Sequence, residues 1–245
     1  MNSVALKSKL NLKRKFAVIL VRPEKPANIG GVARAMKNTG FQQLRLVGLK
    51  SIPSSSYQTA VHAGQVLVKA RLFPDLIRAT ADCQIIFAAT SKKRKNFSLI
   101  LMEEAVSKML DFPPSVKIGL MFGCERTGLT SQELRRANYI FKIPQACSQP
   151  SYNLISAVVI TLFQIFRCSF QLEKPLLSQE PLPRQEQEAC IRLILAKLEK
   201  KNFLHRTNKE HMTDMIYNLL GRLSMTARDK RLLLALFSKG VNGKE

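Results

Sequence analysis

Short apolar runs separated by stretches with helical spacing constrain this chain more than any other feature. Residues 16–21, 44–48, 83–90, 117–123 and 139–144 are such runs, and Ile118-Gly119-Leu120-Met121-Phe122 has no polar position at all. A strand with one wet face alternates; a strand without alternation is covered on both faces. The helical patterns between the runs give the order β, α, β, α. The reading is therefore an α/β fold, a parallel sheet with helices on both faces. Ligands of such a sheet gather beyond the C-terminal ends of its strands.

The pattern does not run the whole length. Between residues 171 and 185 the periodicity stops, and Pro175, Pro181 and Pro183 stand among Ser, Gln and Glu. We expect residues 1–170 to form one domain, 171–185 a linker, and 186–245 a small all-α module. Within that module helical spacing begins at Glu186 and resumes near 212–223 and 227–237.

Charge narrows the partner. The chain carries 39 Lys and Arg against 17 Asp and Glu, a net charge of +22. Residues 1–170 hold 25 of the basic and 8 of the acidic side chains, and Glu24 is the only acid before Pro74. A surface of this kind repels itself unless a polyanion binds it, and nucleic acid is the first expectation. A basic face on anionic lipid has a similar composition. Against a membrane role, no apolar run approaches the ~20 residues of a spanning helix. No signal-peptide core with a cleavage site is present either. The acid-free start, with Lys7, Lys9, Lys13, Arg14 and Lys15, is read as a basic arm, although a transit peptide would share its composition. The five cysteines are widely spaced with no C-x-x-C pair, which reads as free thiols in a reducing, cytoplasmic compartment. His62, His205 and His211 lack metal-ligand spacing, so no metal is expected.

Three segments carry polar groups at the ligand end of the sheet. The first, V-R-P-E-K-P-A-N-I-G-G-V-A-R-A-M-K-N-T-G, leaves the first strand through a Pro-rich turn and enters a helix near Asn28, a residue suited to the N-cap. Ile29, Val32, Ala33 and Met36 form its apolar stripe; at about 100° per residue Arg34 points away from it, toward solvent or a ligand. The second, G-L-M-F-G-C-E-R-T-G-L-T-S-Q-E-L, ends a strand at Gly123 and holds Glu125 in the loop before a Thr130/Glu133 capping box. Glu125 is either a functional carboxylate or a turn acid bonding nearby amides. The third, I-P-Q-A-C-S-Q-P-S-Y-N-L-I-S-A-V, breaks the last strand into a polar turn. It then starts a helix apolar on nearly every face, with Ser151 and Asn153 at its beginning. Capping alone would also explain both. The run Lys92-Lys93-Arg94-Lys95 follows the third strand and is a natural phosphate contact, or a solvated loop. Neither a P-loop nor a G-x-G-x-x-G dinucleotide fingerprint is present.

Taken together, N-I-G-G-V-A-R-A-M-K-N-T-G, F-G-C-E-R-T-G-L and I-P…S-Y-N-L-I-S-A-V resemble the three signature motifs of the SpoU/TrmH branch of the SPOUT RNA methyltransferases, in order and spacing, over roughly residues 16–170. Tyr152 departs from the pattern, where Leu is more frequent. The resemblance implies a C-terminal deep trefoil knot, a homodimer, and S-adenosyl-L-methionine (AdoMet) as methyl donor. The knot loops around Thr90, Ser91, Gly123, Ile143 and Leu154 would bind that donor. Asn28, Arg34, Glu125, Ser151 and Asn153 fall on the family's catalytic-site positions. With the helical tail, the resemblance implies 2′-O-methylation of tRNA at anticodon-loop position thirty-two. Methylation of ribosomal RNA or of another tRNA position, and a non-catalytic RNA-binding homologue, stay open at this point.

Overall fold

The computed structural model describes residues 12–92, 97–146, 151–169, 180–204 and 209–239. The elements follow in the order α1 (Leu12–Lys15), β1 (Phe16–Val21), α2 (Pro26–Thr39), β2 (Gln43–Val47), α3 (Ser55–Ala60), a 3-10 turn (Val61–Ala63), α4 (Gly64–Val68), β3 (Arg71–Phe73), α5 (Leu76–Thr80) and β4 (Ile85–Ala89). There follow β5 (Leu99–Leu101), α6 (Met102–Asp111), β6 (Ile118–Phe122), α7 (Ser131–Leu134), β7 (Tyr139–Lys142), α8 (Leu154–Cys168), α9 (Arg184–Lys200), α10 (Lys209–Gly221) and α11 (Ala227–Lys239).

Seven strands form one sheet in the order β3-β2-β1-β6-β4-β7-β5, and every pairing is parallel. All five expected strands are present. Two more, β3 and β5, lie at the edges; each has three residues, too few for a periodic signal. The central strands β1 and β6 are buried at every position, as their unbroken apolar runs require. One face of the sheet packs a core of Val18, Leu20, Phe87, Leu120 and Phe122 against α2, α6 and α8. The other packs Ile19, Ile86, Ala88 and Met121 against α5 and α7.

A third core, around Cys190, Ile191, Ile194, Leu220 and Met225, belongs to the tail helices. Helix α9 begins at Arg184, two residues inside the expected linker, and the tail is docked on the sheet domain. Arg184 is buried and faces Glu188, whose carboxylate also receives Arg136. The Gln187 amide donates to Gln84 O at 2.8 Å, and Asn138 Nδ2 donates to Leu223 O at 3.0 Å. These buried polar groups find part of their hydrogen bonding across the junction. Sequence composition registers the prolines before α9 and not the contacts after it.

Candidate active site

The first motif builds a helix start that one side chain from far along the chain completes. After β1 the backbone turns at Arg22, in the left-handed region at φ 50. Helix α2 then begins at Pro26, whose ring presets the first helical φ, with Lys25 at the N-cap. The cap expected at Asn28 is therefore not there: Asn28 lies inside the first turn. The amides just before that turn are taken by Glu125, where Oε2 accepts the Glu24 N–H at 2.9 Å and Oε1 the Lys25 N–H at 3.1 Å. Asn28 Nδ2 donates to the same Oε1 at 2.6 Å. A carboxylate at a helix N-terminus is favoured by the aligned peptide dipoles. Burial opposes ionisation of Glu125, but hydrogen bonds from Glu24 N–H and the Asn28 amide outweigh it and hold the carboxyl below its usual range.

The second motif is braced to the first by another pair. Arg22 forms a two-pronged ion pair with Glu133, and Glu133 also accepts the Thr130 N–H as the return half of the expected capping box. Between these anchors the loop after β6 folds back on itself: a Cβ on Gly123 would lie 2.2 Å from the backbone of Gly128, so no side chain fits. Gly128 itself has φ +69, open to glycine at no steric cost.

The third motif supplies the opposite wall. Asn153 caps α8, its Oδ1 accepting the Ser156 N–H at 2.7 Å. The Tyr152 hydroxyl donates to Pro144 O at 3.2 Å, so the residue that departs from the family pattern ties the return of the chain to the end of β7.

These three loops enclose a cleft at the C-terminal ends of β4, β6 and β7, about 790 Å³ counting its open mouth. All five residues expected to bind cofactor, Thr90, Ser91, Gly123, Ile143 and Leu154, line it, together with Glu125, Ser151 and Lys92. Three expected site residues do not line it within one chain. Asn28 lies behind Glu125, Asn153 is used as a cap, and Arg34 stands exposed on α2 with no hydrogen bond or ion pair among the described residues. Of the basic run, Lys92 donates to Thr127 O at 3.3 Å on the rim, while Lys93, Arg94 and Lys95 lie outside the described residues. Gln145, also on the cleft wall, went unnoticed in the sequence although it directly follows a strand end. The Arg22–Glu133 brace had no sequence signal, since 111 positions separate its partners.

The cleft combines an apolar side, from Phe122, Ile143, Leu154 and Ala157, with hydroxyl, amide and carboxylate groups. That donor set suits a ligand with an aromatic base, a polar sugar and a cationic centre, as AdoMet has. Fold and cleft together define an α/β RNA methyltransferase. The chain belongs to the SpoU rRNA Methylase family, whose model matches residues 15–163. It is similar to the tRNA (cytidine-2′-O-)-methyltransferase TrmJ of Methanocaldococcus jannaschii, 27% identical over 91% of this chain and 98% of that one. It is also similar to the tRNA (cytidine/uridine/adenosine-2′-O-)-methyltransferase TrmJ of Pseudomonas aeruginosa, 27% identical over 92% and 93%. Among solved structures, TrmJ from Z. mobilis superimposes with a TM-score of 0.78 at 30% identity, covering 91% of this chain and 97% of that one. The SPOUT resemblance read from the three motifs is thereby borne out.

Proposed function

We propose that this chain transfers a methyl group from AdoMet to a ribose 2′-hydroxyl of tRNA, at anticodon-loop position thirty-two. The observation that carries the reading is the convergence of Thr90, Ser91, Gly123, Ile143 and Leu154 on one cleft beside Glu125 and Ser151. The likeness to TrmJ proteins supports tRNA in particular, because it extends through the helical tail and not only the methylase domain.

AdoMet supplies an electrophilic methyl on a sulfonium. The loops after β4, β6 and β7 hold it and exclude water. Ser151 lies on the wall of the cleft, where its hydroxyl can position the incoming ribose. Arg34 would orient the 2′-hydroxyl and stabilise its oxygen as the proton passes to solvent and the methyl donor departs as a neutral thioether, an electrostatic role, since a guanidinium is seldom neutral enough to act as a base. Arg34 does not line the cleft of its own chain, which fits a site assembled across a homodimer. Helix α8 leaves Val159 and Phe163 exposed, 40% and 54%, an apolar face that a second subunit would cover. Ile160 and Phe166 on the same helix pack partly against their own core. The trefoil knot, the division at 171–185 and a cytoplasmic location belong to the same reading. Among the described residues no helix is long and apolar enough to cross a membrane.

The test incubates the full chain with AdoMet and tRNA transcripts and maps ribose methylation by nucleoside-resolved mass spectrometry. Methylation at position thirty-two is expected. Methylation elsewhere in tRNA or only in ribosomal RNA would replace the substrate, and failure to bind AdoMet would leave a non-catalytic RNA-binding protein.

A further inference from the structure

The cofactor cleft is not the only concavity with open polar groups. A second cavity, about 430 Å³ counting its mouth, lies where the tail meets the sheet domain. The sheet domain contributes Phe97 and Ile140, and the tail contributes Tyr217, Asn218 and Arg222 at the end of α10.

What separates this cavity from an ordinary packing gap is which of its groups are already used. Arg135 is neutralised by Asp214, and Asn138 is spent on Ile86 N–H, Gln187 and Leu223 O. Arg222, just past the end of α10, uses only Nε, donating to Asn218 O in that helix at 2.7 Å. The rest of its guanidinium fork, the Tyr217 hydroxyl and the Asn218 amide make no hydrogen bond among the described residues. No acidic residue lines the cavity. An open cationic fork beside two aromatic rings and an amide is the chemistry that holds an unpaired nucleotide: phosphate on arginine, base against rings, base edge on amide. Phe97 on this cavity and Lys92 on the cofactor cleft are only five positions apart, so their Cα atoms are at most about 18 Å apart. One single-stranded RNA segment can reach both.

We propose that the junction cavity is a nucleotide subsite for unpaired RNA, in which Arg222 takes a phosphate, Phe97 and Tyr217 flank the base, and Asn218 bonds its edge. The assignment rests on the reading of the chain as an RNA-modifying enzyme and gives the docked tail a direct part in substrate binding.

The experiment measures anisotropy of a labelled tRNA transcript with the full chain across a potassium chloride series, with AdoMet affinity by calorimetry in parallel. Arg222→Ala should weaken tRNA binding roughly tenfold and lower the log–log salt slope by about 0.7 to 0.9, the loss of one phosphate contact. Arg222→Lys should keep the slope, because charge alone sets it. Asn218→Ala should weaken binding about 3- to 10-fold with the slope unchanged. None should alter AdoMet affinity. Photocrosslinking with 4-thiouridine-substituted tRNA should label the peptide of Phe97 or Tyr217. Variants with wild-type affinity and slope, or crosslinks confined to other peptides, would overturn the subsite while leaving the methyltransferase reading standing. A wild-type chain that binds neither tRNA nor AdoMet would overturn both.

Discussion

Arg34 and Glu125 stand in opposite states. Arg34 is exposed on α2 and free of partners among the described residues. Arg34→Ala is expected to cut turnover roughly 10²- to 10⁴-fold while AdoMet affinity, read by calorimetry, stays near wild type. Arg34→Lys distinguishes the roles: partial activity with a flat alkaline profile supports charge stabilisation, and activity that climbs as the lysine deprotonates supports a base. Glu125 is the reverse case, with both oxygens committed to Glu24, Lys25 and Asn28. Glu125→Gln would turn an amide NH₂ toward one of those donors, a mismatch costing about 1–3 kcal/mol. The expected readout is a lower melting temperature together with weaker AdoMet binding, since the same loop lines the cleft. Wild-type values for both would show that the carboxylate is not what joins the two motifs.

Among the elements, α8 and β2 each depend on something outside themselves. Phe163 on α8 is more than half exposed in one chain, although the sequence of that helix reads as fully buried. Phe163→Glu is therefore expected to leave the fold intact and shift sedimentation from dimer to monomer; a wild-type chain that is monomeric at micromolar concentration would remove the dimer. Strand β2 is tied to its neighbours by Arg45, buried at 2%, which bonds Asp82 at 2.6 and 3.0 Å while Lys117 reaches the same carboxylate at 2.8 Å. Burial opposes ionisation of Asp82, but Arg45 and Lys117 outweigh it and hold the carboxyl far below its usual range. A depressed carboxylate contributes stability above its unfolded pKa and loses it as pH falls through the folded value. Denaturant midpoints should thus fall on acidification below about pH 4, where an unfolded aspartate begins to protonate. Asp82→Asn should remove Asp82's share of that dependence, leaving that of Glu125, and cost about 1–3 kcal/mol at neutral pH, less than for a deeply buried pair because Asp82 is half exposed.

On the scale of the molecule, the docked tail shares buried polar contacts with the sheet domain. A chain ending near Phe170 should still hold AdoMet, because every described residue lining the cofactor cleft precedes that point. It should methylate tRNA poorly. It should also melt at a lower temperature, since Asn138, Arg136 and Arg135 lose Leu223, Glu188 and Asp214. Unchanged tRNA methylation by the shortened chain would separate the tail from substrate choice.

The sequence by itself determined the elements whose cause is local. Unbroken apolar runs define β1, β4 and β6, Thr130 and Glu133 meet three positions apart in a capping box, and Gly128 takes a backbone conformation that side chains avoid. It also determined which loops meet, because a parallel sheet gathers its strand ends on one side. Only the tertiary structure decided what those loops do to each other. The turn into α2 is held by a carboxylate 97 positions beyond Asn28, a partner that local pattern could not register when it placed the cap on Asn28 itself. Edge strands β3 and β5 exist because a neighbour offers hydrogen bonds to three residues that carry no period of their own. Sequence pattern records what a residue needs from its near neighbours. A partner a hundred positions away is chosen by the geometry of the folded chain.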